Sequence, residues 1–214
     1  MTLRKIYDVP SQWGDRIGAD WLTYNPGVYL EFALVARRNA PLFGATLLDV
    51  FPNVKSIVDV GCGTGQFCAY FTSRGVRAVG FEYSRMARAW ARLIGVDVHP
   101  FDLSSAHPPH PVGRADVALS LEVGEHIPAT YAARFVEMLA SIAPIVVLTC
   151  APPGQAGNGH INCQPKSYWT ELFRARGFTR SAFLEGRMVE GLERHPRVSP
   201  FLATNLMVFQ EIAA

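Results

Sequence analysis

The chain has 214 residues, of which 49% are hydrophobic and 18% are charged, so it can bury a full core and is too apolar for a disordered protein. Its 20 basic and 18 acidic residues give a net charge of +2, and no basic run marks a nucleic-acid footprint. Without a stretch typical of a signal peptide or a membrane span, we expect a cytoplasmic protein that makes no membrane contact and has four free thiols.

The first quarter of the chain predicts helices. Its opening contains several aromatic side chains, namely Trp13, Trp21, Tyr24 and Tyr29. Residues 28–51 then show helical spacing of apolar residues, and Pro41 predicts that a second helix starts within this stretch. We expect residues 1–54 to form a helical cap whose aromatics either cover a binding site or pack the helices onto a sheet.

From residue 55 onward, short β-branched runs alternate with helical patterns. Strands are predicted at 55–60, 77–82, 96–102, 116–121, 145–150, 178–184 and 203–212. Helices are predicted from about Thr64, from about Ser84, and over 128–140, 166–176 and 189–194. This alternation predicts a single domain built on a mostly parallel sheet with crossover helices on both faces.

A glycine-rich turn follows the first predicted strand. The segment VDVGCGTGQF has Asp59 near the end of that strand and Gly61, Gly63 and Gly65 in the turn to the next helix. Glycines allow a sharp turn and let a ligand approach the backbone, so the segment predicts a cofactor site. A nicotinamide fingerprint has its third glycine three residues after the second, whereas here the spacing is two, which leaves a dehydrogenase as the weaker alternative.

The segment from Asp59 to Gly65, including Cys62, resembles the first motif of class I S-adenosylmethionine-dependent methyltransferases. This resemblance implies a Rossmann-like α/β fold, in which a seven-stranded, mostly parallel sheet has an antiparallel last strand. Residues 55–214 would form the catalytic core and residues 1–54 its cap. Asp59 could alternatively serve only to brace the glycine turn.

The same resemblance implies further contacts with S-adenosylmethionine. Glu82, 17 residues after Gly65, matches the acid that binds both ribose hydroxyls, a task that suits a carboxylate because it accepts two hydrogen bonds. Asp102, after the third predicted strand, matches the residue that faces the adenine amino group. The predicted cofactor site is completed by three neighbouring residues, Tyr83, Leu103 and Leu121.

A second group of polar residues follows the fourth and fifth predicted strands, at the edge where open α/β sheets bind ligands. In SLEVGEHIP, the spacing of Glu122, Glu125 and His126 would give these residues one face if the segment makes a helical turn. His160 lies in the loop after the fifth strand, which opens on the same edge. Two carboxylates and two imidazoles are thus predicted to converge there.

The Glu-x-x-Glu-His pattern with a later histidine resembles metal-dependent small-RNA 3′-terminal 2′-O-methyltransferases, and its first three positions resemble ubiquinone-biosynthesis O-methyltransferases. Both resemblances imply a divalent ion that orients the acceptor hydroxyls, and the mixed oxygen and nitrogen donors suit Mg²⁺, Mn²⁺ or Zn²⁺. In the metal-free alternative, Glu122, His126 or His160 acts as the general base.

We therefore predict a methyltransferase that modifies a hydroxyl group of a small molecule. Methylation of the 2′-hydroxyl at an RNA 3′ end is an alternative that the residue pattern favours and the weak positive charge opposes. A non-catalytic module that binds the cofactor is a second alternative. The sequence indicates neither the identity of the acceptor nor the oligomeric state.

Overall fold

The computed structural model describes residues 26–104 and 113–212. In this part of the chain, seven strands form one sheet: β1 (Ser56–Val60), β2 (Arg77–Glu82), β3 (Asp97–Pro100), β4 (Val117–Leu121), β5 (Ile145–Thr149), β6 (Phe178–Arg180) and β7 (Leu206–Glu211). The helices are α1 (Pro26–Val50), α2 (Gln66–Ser73), α3 (Arg85–Leu93), α4 (Ala132–Ile142), α5 (Lys166–Arg174), α6 (Ala182–Glu193) and α7 (Phe201–Thr204). None of these described helices has both the length and the apolar content needed to cross a membrane.

The strand order of the sheet is β3-β2-β1-β4-β5-β7-β6. Strands β1 to β5 are paired in parallel, whereas β7 runs antiparallel to both β5 and β6. The predicted seven-stranded, mostly parallel sheet with an antiparallel last strand is thereby confirmed. Because the parallel strands share one direction, their carboxyl ends meet at a single edge, and the antiparallel β7 begins at that same edge.

Helices cover both faces of the sheet, which explains why its central strands are apolar throughout. On one face, α4 and α5 pack around Phe135, Trp169 and Phe173, all of which are fully buried. On the other face, α1, α2 and α6 pack around Phe43 and Phe71, which are also fully buried. Burial of each such side chain contributes about 2 kcal/mol, so the two layers hold the strand ends firmly in place.

The predicted helix break at Pro41 is wrong. Helix α1 runs continuously through this proline from Pro26 to Val50. Phe43 and Leu47, which follow on the same helix, are fully buried, and α1 packs against α2 and α6. Tertiary packing of this apolar face outweighs the loss of the backbone hydrogen bond that Pro41 cannot donate.

The predicted strand at 178–184 is too long, because β6 ends at Arg180. The strand ends there because Ser181 caps the next helix: the Ser181 side chain accepts a hydrogen bond from the Leu184 N–H at 3.4 Å. Helix α6 therefore begins earlier and is longer than the short helix predicted at 189–194.

Of the other predicted boundaries, two differ by three residues or more. The final strand begins at Leu206 instead of residue 203, because α7 occupies the preceding positions. The helix predicted from residue 128 begins with a single 3-10 turn, Ala129–Tyr131, before it becomes α4. A proline at the start of this segment makes such a tight first turn common.

The predicted cap is described only from residue 26 onward. Three of its aromatic residues, Trp13, Trp21 and Tyr24, lie outside the described residues. The fourth, Tyr29, lies on the first turns of α1 and is buried. Its side chain forms a hydrogen bond with Ser84, which follows β2, so α1 reaches the edge of the sheet where the glycine turn lies.

Candidate functional site

The glycine turn forms a tight loop, here called the glycine loop (residues 61–65). Gly61, Gly63 and Gly65 have positive φ angles of 78°, 54° and 84°, a region that side chains with a Cβ disfavour. The N–H of Gly61 donates to the carbonyl of Phe81 at 2.7 Å, which ties the loop to the end of β2. A Cβ at Gly63 would meet no atom within 4 Å, so the backbone there is open to a ligand.

Glu82, at the end of β2, is held directly against the glycine loop. One carboxylate oxygen accepts a hydrogen bond from the Gly63 N–H at 2.9 Å, and the other accepts one from the Ser84 N–H at 2.7 Å. Burial raises the pKa of Glu82, and the two backbone donors oppose that rise. Burial also raises the pKa of Tyr29 to about 12, so this hydroxyl stays neutral beside the carboxylate.

Asp59 lies behind the glycine loop, inside the core. Its side chain is only 3% exposed, and the thiol of Cys68 on α2 donates to a carboxylate oxygen at 3.8 Å. Burial, and secondarily the charge of Glu82, raise its pKa to about 7. These contacts favour the bracing role among the two roles predicted for Asp59.

The other predicted cofactor residues lie along the same edge of the sheet. Cys62 is buried, and its thiol has a pKa raised well above the usual value, mainly by its hydrogen bond with Cys68 and by burial. Tyr83 is 66% exposed next to Glu82, whereas Leu121 is half-buried at the end of β4.

The segment after β3 carries the remaining two predicted contacts. The carboxylate of Asp102 accepts hydrogen bonds from the N–H and the hydroxyl of Ser104 at 2.8 and 2.6 Å, which orients it. Leu103 is buried, and its carbonyl accepts a hydrogen bond from Arg134 of α4 at 2.7 Å. Asp102 thus follows β3, the strand that pairs with β2 on the side away from β1.

The segment after β4 does not form the predicted helical turn through Glu122. Glu122 has a φ of 55°, and its N–H donates to both the carbonyl and the hydroxyl of Thr149, at 3.0 and 2.9 Å. The 3-10 turn begins only at Gly124 and ends at His126. Glu122 is still hydrogen-bonded to Thr149, the last residue of β5. It therefore does not share a helical face with Glu125 and His126.

Three of the four predicted ligands nevertheless converge. Glu125, His126 and His160 each offer one ligand atom, and these atoms lie within 4.8 Å of one another; we call them the carboxylate–histidine cluster. Two donors on one ion are at most about 4.2 Å apart, because each bond is about 2.1 Å, so loading an ion would draw them slightly together. Among the described residues, Glu122 is not part of this group.

Glu125 is the buried member of the carboxylate–histidine cluster. It is 0% exposed, and its carboxyl group lies against that of Glu122 and the backbone of Ala151, but within the described parts of the chain neither oxygen has a hydrogen bond of good geometry. Burial and the nearby charge of Glu122 raise its pKa to about 8. A buried carboxyl group without partners is costly unless a proton or a cation satisfies it, so this donor set fits a divalent ion.

Backbone carbonyls orient the two histidines. His126 Nδ1 lies 3.0 Å from the carbonyl oxygen of Gly159, and His160 Nδ1 lies 3.0 Å from that of Gln155. Because a carbonyl oxygen only accepts, both Nδ1 atoms carry the proton, and in each neutral ring the lone pair is on Nε2. Such carbonyl contacts are typical of metal-binding or proton-accepting histidines.

Two polar residues of this site escaped prediction. Asn205, which is 3% exposed, donates from Nδ2 to a carboxylate oxygen of Glu122 at 3.0 Å and to the side-chain oxygen of Gln155 at 3.1 Å. Gln155 Nε2 lies 3.4 Å from the other oxygen of Glu122. Only the polar character of the loop around Gln155 hinted at its role, and no local pattern marked Asn205.

The segment that carries Glu122 and Glu125 touches the glycine loop. A Cβ at Gly61 would come within 2.4 Å of the Val123 side chain, so Val123 packs directly on that glycine. The carboxylate–histidine cluster and the Glu82 contact therefore belong to one continuous edge of the sheet, on the two sides of the glycine loop.

Comparisons with known proteins agree with this geometry. The sequence model of one family, described as a methyltransferase domain, matches residues 29–180. Among solved structures, an amino pentose methyltransferase from Micromonospora echinaspora with bound S-adenosylmethionine is similar with a TM-score of 0.60 and 16% identity, over 85% of this chain and 96% of that one. A TehB-like methyltransferase from Corynebacterium glutamicum has a TM-score of 0.60 and 16% identity, over 87% and 100% of the two chains.

A third similar structure is the magnesium protoporphyrin IX methyltransferase from Synechocystis, with S-adenosylhomocysteine (SAH) bound. Its TM-score is 0.54 and its identity 18%, over 66% of this chain and 73% of that chain. At these identities the likeness concerns the fold, whereas the family match spans the glycine loop, Glu82 and the carboxylate–histidine cluster.

Proposed function

Since this chain belongs to the methyltransferase-domain family and is a class I S-adenosylmethionine-dependent enzyme, we propose that it methylates a hydroxyl group of a small molecule with the help of a divalent ion. The observation that carries this proposal is the carboxylate–histidine cluster beside the glycine loop. A sulfonium methyl group is already activated, so the enzyme must hold the acceptor in line with it and remove a proton.

On the cofactor side, Glu82 is the group we assign to the ribose. Its two oxygens accept hydrogen bonds from the Gly63 and Ser84 amides, and each oxygen has a further lone pair for a hydroxyl donor. The open backbone at Gly63 leaves space beside this carboxylate. We assign the adenine to Asp102 and Leu103, and we assign Tyr83, next to Glu82, and Leu121, at the end of β4, to the cofactor as well.

On the acceptor side, the cluster of Glu125, His126 and His160 would hold the ion. When bound, a divalent ion lowers the pKa of a hydroxyl that contacts it and fixes that hydroxyl in place. The chain's own part is to present one carboxylate and two neutral imidazoles, and to keep Glu122 close by as a hydrogen-bond acceptor. In a metal-free reaction, the same histidines and Glu122 are the candidates for the general base.

A small acceptor is favoured over RNA by charge. The acceptor side has two carboxylates, Glu122 and Glu125, next to each other, and the whole chain has a net charge of only +2. Phosphate contacts need a basic groove, and no run of basic residues in the sequence supplies one. Binding of a short RNA that falls steeply with rising salt would instead support the RNA 3′ end as the acceptor.

The test is an assay of SAH release with a panel of hydroxyl acceptors (sugars, catechols, phenols and hydroxy acids) and matched amines. We expect turnover with a hydroxyl acceptor, a loss of at least 100-fold with EDTA, and recovery with Mg²⁺, Mn²⁺ or Zn²⁺. His160→Ala should reduce turnover strongly, whereas His99→Ala, on the exposed end of β3, should not.

Two results would contradict the proposal. Turnover of amines alone would show that the acceptor atom is nitrogen. Turnover of a hydroxyl acceptor that survives EDTA unchanged would leave O-methylation but exclude the ion, and the general-base alternative would take its place.

A further inference from the structure

The backbone of Glu122 is in an unusual conformation. Among the described residues other than glycine, it alone has a positive φ, of 55°. Two hydrogen bonds from its N–H to Thr149 keep the chain in this conformation. A strained, non-glycine backbone at the edge of a site persists only when the surroundings impose it, and it commonly marks a functional position.

The side chain of Glu122 is restrained as tightly as its backbone. Asn205 Nδ2 has two hydrogens, and it donates one to Glu122 and one to the side-chain oxygen of Gln155, at 3.0 and 3.1 Å. Gln155 closes the ring through its own amide, 3.4 Å from the second oxygen of Glu122. We call this pair of residues, Asn205 and Gln155, the amide clamp.

The amide clamp is itself held in place. The hydroxyl of Thr204 shares its proton between the Pro200 carbonyl at 3.2 Å and Asn205 Oδ1 at 3.4 Å, so it lies on the oxygen side of the Asn205 amide. Asn205 precedes the first residue of β7, Leu206, which pairs with Thr149 at the end of β5. The antiparallel strand thus delivers a buried amide to the carboxyl edge of the parallel strands.

Gln155 also connects Glu122 to the carboxylate–histidine cluster. Its side chain contacts Glu122, while its backbone carbonyl accepts the hydrogen bond from His160 Nδ1 at 3.0 Å. The clamp therefore fixes Glu122 relative to His160 while it keeps both Glu122 oxygens engaged with amides. The ligand atoms that converge within 4.8 Å come from Glu125, His126 and His160.

From these contacts we infer that Glu122 is a residue for the methyl acceptor and not a ligand of the ion, and that Asn205 and Gln155 are positioning residues that hold it in this role. This inference rests on the proposed function. It departs from the four-ligand set that the sequence pattern implies. Three protein ligands leave positions open on the ion, as catalytic metal sites require, and a partly accessible carboxylate next to them can accept the acceptor's hydroxyl proton.

The first experiment measures ion affinity by calorimetry, with Mn²⁺ and Zn²⁺ added to the enzyme saturated with SAH. We expect Glu125→Gln and His160→Ala to weaken binding by at least 30-fold, because each removes a ligand. Glu122→Gln should change affinity by less than threefold, like the control Glu171→Gln on the exposed face of α5. An equal loss in Glu122→Gln and Glu125→Gln, or no ion binding by the wild type, would overturn the inference.

The second experiment measures the clamp. In Asn205→Leu, we expect kcat/KM for the best hydroxyl acceptor of the SAH-release panel to fall about 10-fold, with the affinities for SAH and Mn²⁺ within threefold of wild type. Asn39→Leu is the matched control. Asn39, on α1, is as buried as Asn205, but its side-chain amide donates to the hydroxyl of Ser199 at 2.9 Å and does not contact Glu122. A general loss of folding would affect all three readouts in both variants.

These experiments distinguish a failure of the positioning role of Asn205 from a failure of the proposed function. If Asn205→Leu lowers kcat/KM no more than Asn39→Leu does, the positioning role is wrong even though the enzyme methylates hydroxyls. If no hydroxyl acceptor turns over, the proposed function fails, and the Mn²⁺ titration still decides whether Glu122 is a ligand.

Discussion

The two sides of the glycine loop are built in different ways. The ribose contact on the cofactor side comes from one β-α-β unit, in which backbone amides of Gly63 and Ser84 hold the carboxylate of Glu82. The acceptor side is assembled from side chains of three distant segments, and Asn205 reaches Glu122 across 83 positions of the chain. Local backbone geometry is therefore sufficient for the ribose contact, whereas the acceptor side needs segments from distant parts of the chain.

The two sides also differ in how their carboxylates are satisfied. Glu82 already accepts hydrogen bonds from two amides, and Glu122 is held by the amide clamp. Glu125 is buried against Glu122, and within the described residues neither of its oxygens has a hydrogen bond of good geometry. A carboxylate that already accepts hydrogen bonds from amides needs no counterion and can bind the hydroxyl groups of a neutral sugar. A buried carboxylate without such donors needs a cation or a proton.

The largest expected effect tests whether the cofactor side depends on a single carboxylate. Glu82→Ala should weaken SAH binding by at least 100-fold, about 3 kcal/mol, because it removes the charged group that we assign to both ribose hydroxyls. Calorimetry with SAH measures this, and Glu190→Ala, in an exposed ion pair with Arg194 on α6, is the matched control. A loss of less than threefold would mean that the cofactor is held elsewhere.

A smaller effect concerns the buried support of the glycine loop. Asp59 keeps its proton up to about pH 7 in the folded protein, against 3.8 for the ordinary carboxyl group. Between these values the folded state binds more protons than the unfolded chain, so this group's contribution to the free energy of unfolding falls as the pH rises from about 4 to 7.

Asp59→Asn should therefore gain stability relative to wild type by about 2 kcal/mol between pH 5 and pH 7. Urea unfolding of both proteins at a series of pH values measures the difference in their free energies of unfolding. The titration of Glu125 cancels in this difference because both proteins contain Glu125. A difference that does not change with pH would mean that Asp59 is ionised in the folded protein.

The smallest expected effect separates two reasons for a glycine at position 63, namely its positive φ and its closeness to the cofactor. Gly63 and Gly75 both have positive φ, and a Cβ at either would meet no atom within 4 Å. Alanine at each position should cost about 1 kcal/mol of stability. Only Gly63→Ala should also weaken SAH binding, by about 10-fold, because its methyl group enters the space beside Glu82; equal SAH affinity in the two variants would place the cofactor away from Gly63.

Much of the fold could be predicted because its signals are local. Alternating strand and helix patterns predicted the parallel sheet, and the resemblance of the glycine turn to a known motif pointed to Glu82. Pro41 shows where this reasoning fails, since the packing of Phe43 and Leu47 keeps α1 continuous through a proline. The expected cytoplasmic location stays a prediction.

The acceptor side could be predicted only in part. The residue types at Glu125, His126 and His160 pointed to a shared site, because loops after neighbouring parallel strands open on one edge. Their separation from Glu122 could not be foreseen, because it depends on a left-handed backbone and on an amide that β7 supplies.

By itself, the sequence determined the order of strands and helices, the glycine loop and the acid after β2, because each depends on contacts between residues close in the chain. Only the tertiary structure decided which carboxylate is left unpaired and which is clamped. That choice depends on burial and on hydrogen bonds between segments that meet only when the antiparallel strand pairs with the parallel sheet.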